Sequence, residues 1–272
     1  MDLRPGPAMR WLARRLDVDR PTGLYLTVGF GAGLVFLAGF LSIAEDLLDP
    51  ATLVMDSAVY GALAAVASPA VARAMWMATL LGDTPVMFAQ SCAAVALLLM
   101  WGRPRRAAVL TALMVLGPLL AMVLKGIFGR PRPPVSIALV ATPGSASFPS
   151  GHSIGAIVLY GTLATLLILS DRTLREKALG AVAGTLVTLA VGLSRVYLGV
   201  HWASDVLGSL LLGAALICVG TAVLTAWERF GRPLPERHLS GHMVIVRRAL
   251  TAAVLLVPLA ALAIESARNP LL

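Results

Sequence analysis

Six stretches of this chain run for 17 to 24 residues without a charged side chain. No other feature constrains its fold as tightly. They cover residues 21–44, 84–102, 107–124, 152–170, 178–194 and 206–227, with His152 counted as neutral. About 20 apolar residues carry an α-helix across the hydrocarbon core of a bilayer. Backbone groups there find no water, so each segment must satisfy them internally as a helix. The expected fold is therefore all-α: a polytopic transmembrane bundle of six core helices. Charged residues make up only 13% of the chain, against about 25% in a soluble domain. That excludes a disordered chain, a disulfide scaffold and the soluble globular classes.

Two further segments are less regular. Residues 249–264 are apolar but contain Pro258, and Arg247 and Arg248 could snorkel to lengthen them into a seventh, C-terminal helix. Residues 57–72 are apolar, yet Ser68-Pro69 interrupts them and Asp56 and Arg73 bound them closely. An interfacial helix or a short re-entrant element fits better than a span. The organisation expected is a basic segment over 1–20, a six-helix unit over 21–227 and a tail over 228–272. The first apolar run follows 20 basic-rich residues and can itself span, so it reads as a helix rather than a cleaved leader. Cys92 and Cys218 lie in apolar runs and read as small buried hydrophobes, not as a disulfide or zinc pair. Gly29/Gly33 and Gly180/Gly184 have the spacing of closely packed membrane helices.

The net charge is +8. In a soluble protein this would raise nucleic acid as a partner; here topology accounts for it and none is expected. Sixteen of the 22 Lys and Arg residues fall before the first span, between spans two and three, between four and five, or after six. The remaining six, Arg73, Lys125, Arg130, Arg132, Arg195 and Arg268, belong to the other side. The positive-inside rule then puts the N-terminus in the cytoplasm and residues 126–151 and 196–204 on the outer face.

Three polar clusters converge on that outer face. Lys125 to Pro133 ends the third span, Phe148 to His152 opens the fourth, and Ser194 to Asp205 joins the fifth to the sixth. Ionisable groups at membrane depth are costly and usually face an interior site. Lys125, Arg132 and Arg195, with two imidazoles and one carboxylate, describe an anion site. Phosphate suits it, because guanidinium offers paired donors to oxyanions. Ser150 and Gly151 precede a helix whose N-terminal amides also favour an anion. His201 and Asp205 are four apart and share a face if that segment is helical. A carboxylate on one ring nitrogen makes the other a better nucleophile. His152 is then the group to protonate a leaving oxygen.

The three clusters resemble the signature of the type 2 phosphatidic acid phosphatase superfamily, the lipid phosphate phosphatases. Its pattern is K-x6-R-P, P-S-G-H and S-R-x5-H-x3-D. The chain has Lys125…Arg132-Pro133, Pro149-Ser150-Gly151-His152 and Ser194-Arg195…His201…Asp205, without a departure. The resemblance implies a phosphohistidine mechanism with His201 as nucleophile, Asp205 orienting it and His152 as general acid. It implies that Lys125, Arg132, Ser150, Gly151 and Arg195 bind phosphate, with no metal or other cofactor. The implied partners are a phosphorylated lipid and the bilayer. Bacterial members act on lipids such as undecaprenyl diphosphate, phosphatidic acid and phosphatidylglycerol phosphate.

Bland readings apply elsewhere. Arg130 sits beside the motif Arg132 and reads as a supporting or interfacial charge. Ser240-Gly241-His242 imitates the second motif without its proline and on the cytoplasmic side. A phosphotransferase using the same phosphohistidine is the main alternative function. A non-catalytic transport or scaffold protein is disfavoured because both histidines are present.

Overall fold

The structure, a computed structural model, describes residues 21–231 together with Thr251. The basic segment 1–20, the histidine at 242 and, Thr251 apart, the candidate helix at 249–264 lie outside the described residues.

Within residues 21–231 eight α-helices follow in order: α1 Pro21–Glu45, α2 Pro50–Ala65, α3 Pro69–Leu80, α4 Thr84–Met100, α5 Pro104–Phe128, α6 Gly151–Ile168, α7 Leu174–Tyr197 and α8 Ala203–Phe230. Among the described residues no strand occurs. The starts are written locally. Proline stands in the first turn of α2, α3, α4 and α5, where its missing N–H costs nothing and its φ is already helical. Asp49 and Ser68 accept the first free amides of α2 and α3, and Thr173 with Glu176 forms a capping box on α7.

Five helices, α1, α5, α6, α7 and α8, are long and apolar enough to cross a membrane. The sixth crossing is composite: α3 and α4 qualify together, bent by 49° at residues 81–83. Six crossings result when this bent pair counts as one; the expected second span, 84–102, is α4 itself, which reaches crossing length only together with α3 before it. Neither α2, with 16 residues, nor α3, with 12, is long enough alone. Residues 57–72 hold the end of α2, the break at 66–68 and the first turn of α3. The chain is an integral, multi-pass membrane protein. Phe30, Val35, Phe88, Met122 and Leu179 are exposed on its outer surface, where lipid replaces water.

Close helix approach depends on glycine. Gly33 of α1 meets Cys218 of α8, and Gly39 meets Leu211; the order is antiparallel. Gly184 of α7 faces the backbone of Tyr160 in α6, and a Cβ there would sit 2.9 Å from its carbonyl oxygen. Both glycine pairs flagged in the sequence lie in helix contacts. The cysteine reading needs correction: Cys92 is exposed and Cys218 only half-buried. An apolar run in a membrane helix has a lipid-facing side, so hydrophobicity there does not imply burial.

The ends of the bundle differ. At one, Arg106 bonds Glu228 at 3.0 Å and also the free carbonyls of Leu166 and Leu169 at the end of α6. This joins α5, α6 and α8. At the other end, Phe148 stacks on Phe40 of α1 at 5.5 Å and meets Phe128 edge-on at 5.1 Å. Its ring fills the notch left by Gly208 on α8, where a Cβ would sit 2.5 Å from Phe148 Cε2. Gly208→Val should therefore expel this ring. Overpacking of this kind costs about 1–3 kcal/mol, and thermal unfolding in detergent should show a midpoint several degrees lower.

Candidate active site

All the motif side chains sit at the end of the bundle that holds Phe148, and local chain geometry explains how. Gly129 adopts φ +57° and returns its N–H to the Lys125 carbonyl, ending α5 one turn beyond Lys125. The chain then loops out. Ser147 N–H donates to the Arg130 carbonyl at 2.8 Å and pinches the loop shut at its base. Ser150 caps α6, accepting from Ser153 N–H at 3.4 Å, while its own N–H donates to Ser209 Oγ on α8 at 2.8 Å. Gly151 opens α6. After α7, Gly199 turns the chain with φ +70° against the carbonyl of Ile137, an approach that leaves no room for a Cβ.

His201 is not on a helix. It precedes α8, whose N-cap is Trp202, and Asp205 lies in the first turn and accepts from the Trp202 N–H at 2.9 Å. The pair nevertheless meets, with His201 Nδ1 3.2 Å from Asp205 Oδ2. The other ring nitrogen, Nε2, lies 3.1 Å from Arg132 Nη1. A guanidinium only donates, so Nε2 presents its lone pair and Nδ1 carries the hydrogen given to Asp205. That tautomer aims the Nε2 lone pair at the cations. Burial outweighs the neighbouring carboxylate and holds the His201 imidazole below its ordinary range, with the Arg132 and Arg195 charges acting the same way.

The cations arrive from three elements. Lys125 donates to the carbonyls of Ala146 and Ser147. Arg132 donates to the carbonyls of Ser145 and Val200 at 2.8 and 2.7 Å. Arg195, 6% exposed, donates to Thr79 Oγ1 at 2.6 Å. Its Nε is buried without a hydrogen-bond partner among the described residues, a donor that an oxyanion would satisfy. His152 is half-buried at the start of α6, with Nε2 2.7 Å from Asp83 Oδ1. Ser150 is fully buried and committed to its cap, so of the expected phosphate ligands its hydroxyl is the least available.

Beneath the site lies a network that the motifs do not spell out. Arg130 is 2% exposed and forks between two carboxylates, Asp205 at 2.5 Å and Asp56 of α2 at 2.8 Å. Asp56 also accepts from Ser204 N–H and Oγ. Ser147 Oγ donates to Asp205 as well. The Trp202 ring packs 5.9 Å from the Arg130 guanidinium and donates to the Pro131 carbonyl. Asp56, Thr79, Asp83, Ser147 and Ser209 all escaped the sequence reading. Asp56 and Asp83 left a signal, since each is a lone carboxylate beside an apolar run, a costly placement unless paired. The serines and Thr79 left none.

Comparison with known proteins follows the same outline. The PAP2 superfamily model matches residues 106–229. Phosphatidylglycerophosphatase B of Bacillus subtilis is 43% identical over 100 residues, which cover 36% of this chain and 48% of that protein. An undecaprenyl-diphosphatase of Sulfolobus acidocaldarius is 34% identical over 124 residues, 44% of this chain and 56% of the relative. The chain thus spans about half the length of the curated relatives it matches. The crystal structure of a transmembrane PAP2 type phosphatidylglycerolphosphate phosphatase from Bacillus subtilis has a TM-score of 0.63 and 25% identity, covering 75% of this chain and 98% of that one. Asp56, Thr79 and Asp83 precede the matched region.

Two outcomes follow from the buried charges. Arg130→Met leaves Asp56 and Asp205 buried without their cation, a loss of about 3–5 kcal/mol. Unfolding in detergent should show it, and adding Asp56→Asn should recover part. The neutral His201 stabilises the folded state fully above its unfolded value of about 6.5, and that contribution is lost as the pH falls below it. Between about pH 7 and about pH 5, the unfolding midpoint should drop less in His201→Asn than in the parent protein.

Proposed function

We propose that this chain is an integral-membrane lipid phosphatase of the PAP2 superfamily, working through a phosphohistidine on His201. One observation carries the reading: an imidazole fixed by Asp205 at Nδ1 presents Nε2 to a guanidinium, beside Lys125 and Arg195. The names of the relatives, a phosphatidylglycerophosphatase and an undecaprenyl-diphosphatase, support a phosphomonoester or diphosphate lipid as substrate.

In the first half-reaction His201 Nε2 attacks phosphorus as the bond to the lipid oxygen breaks. His152 delivers a proton to that oxygen. In the second, water attacks the phosphohistidine and gives a proton to His152, and phosphate leaves. Lys125, Arg132 and Arg195 hold the equatorial oxygens, where charge is greatest in the transition state. Asp205 stabilises the positive charge that develops on His201. With several hydrogen bonds to its two oxygens, it keeps that charge without taking the proton. The site lies at the ends of the spanning helices, so a lipid can present its head group while its tails stay in the bilayer. The bias of Lys and Arg toward the other set of sequence segments supports a site that faces away from the cytoplasm.

The test is phosphate release by the full chain in detergent, with chelator present, from undecaprenyl diphosphate and phosphatidic acid in parallel. His201→Ala should lower turnover to background, and His242→Ala should leave it unchanged. Quenched turnover with labelled substrate should trap an acid-labile phosphoryl group on His201. Release that persists in His201→Ala would refute the assignment. Product that forms only with an added acceptor lipid would make the enzyme a transferase.

A further inference from the structure

The corner where α3 turns into α4, residues 79–83, lies outside all three motifs, yet it touches the site at two points. Thr79, at the end of α3, takes Arg195. Asp83, four residues on, takes His152 with an Oδ1 to Nε2 distance of 2.7 Å. The elbow is also fitted to the imidazole. A Cβ on Gly82 would lie 3.2 Å from both Cβ and Cδ2 of His152 and 2.6 Å from Val191. Tyr160, two turns along α6 from His152, reaches the Leu81 carbonyl with its hydroxyl at 2.9 Å. The corner is thus tied to α6 and α7 together.

Asp83 also forgoes its ordinary role. It is the N-cap residue of α4, and an aspartate there normally accepts a free amide of the first turn, a bond worth about 1 kcal/mol. Its side chain makes no such bond. The carboxylate goes to His152 instead, a counter-charge to the cations Arg195 and Arg132 that also act on this imidazole.

We propose that Asp83 is a positioning residue for leaving-group protonation, holding His152 by Nε2 so that Nδ1 is the nitrogen that serves the substrate. The inference rests on the phosphohistidine reading above. In the first half-reaction the Nδ1 proton moves to the lipid oxygen as its bond to phosphorus breaks and the bond to His201 forms. His152 is left neutral with its Nε2–H on Asp83. In the second, Nδ1 takes a proton from the attacking water as the bond between phosphorus and His201 breaks. Asp83 neither gains nor loses a proton. It supplies orientation and a negative charge to an imidazolium that otherwise faces two guanidiniums.

The experiment compares leaving groups, in the full-length protein in detergent. Phosphatidic acid releases a poor alkoxide leaving group, which needs a proton. p-Nitrophenyl phosphate releases a stable phenolate, which does not. Asp83→Asn should slow kcat on phosphatidic acid by about 10–100-fold and on p-nitrophenyl phosphate by less than about threefold, a loss no larger than the roughly 10²–10⁴-fold that a positioned general acid contributes as a whole. Asp83→Glu should restore part of the loss. Asp83→Asn added to His152→Ala should slow phosphatidic acid no further than His152→Ala alone. Unfolding midpoints separate misfolded variants, and the Glu variant keeps the comparison open if Asn fails to fold. Equal losses on both substrates, or losses that multiply with His152→Ala, would overturn the proposal and leave Asp83 a structural residue. Turnover that survives in His201→Ala would overturn the phosphohistidine reading itself, and this inference with it.

Discussion

The end of the bundle that holds the three motifs is organised around one buried cation. Arg130 holds Asp205 and Asp56 on the two arms of a single guanidinium. Each partner would be costly alone in a medium with little water. Together they satisfy one another, and Ser204 and Ser147 take remaining acceptor positions. The consequence reaches the His201 imidazole, because the carboxylate that bonds its Nδ1 is itself held by Arg130. It reaches the periphery too, because Asp56 brings α2, too short to span alone, into contact with the start of α8. The first and last helices of the described bundle meet above this cluster, through Phe40, Phe148 and Gly208.

Charge spacing in the sequence was enough to find the spans, because an ion in lipid is expensive and its absence over 17 or more residues is informative. The lipid-exposed and protein-facing sides of a span were not readable the same way. Both are apolar, which is why Cys92 was taken for a buried residue. The bend at residues 81–83 also escaped, since a broken crossing and a straight one have the same composition.

The site was readable where its parts are close in sequence. His201 and Asp205 are four residues apart, and the contact holds although the helix begins only after His201. Where the partner is distant, nothing local says which residue it is. Thr79 meets Arg195 across 116 positions, and Asp56 meets Ser204 across 148. Arg130 was read as a supporting charge, and it turned out to be the most buried ionic group of the network's cations. Its neighbour Arg132 faces the imidazole. Two arginines separated by one proline therefore point to different layers of the same site.

The loop between the first two motifs is fastened at its base, by Ser147 N–H on the Arg130 carbonyl and by Lys125 and Arg132 on the carbonyls of residues 145–147. Farther out, Leu139 N–H is held by the Leu198 carbonyl. Residues 141–145 are mostly exposed. Chemistry and appendage are thereby uncoupled. Evolution, or an engineer, can lengthen or replace the tip between these fastenings while every motif side chain keeps its address.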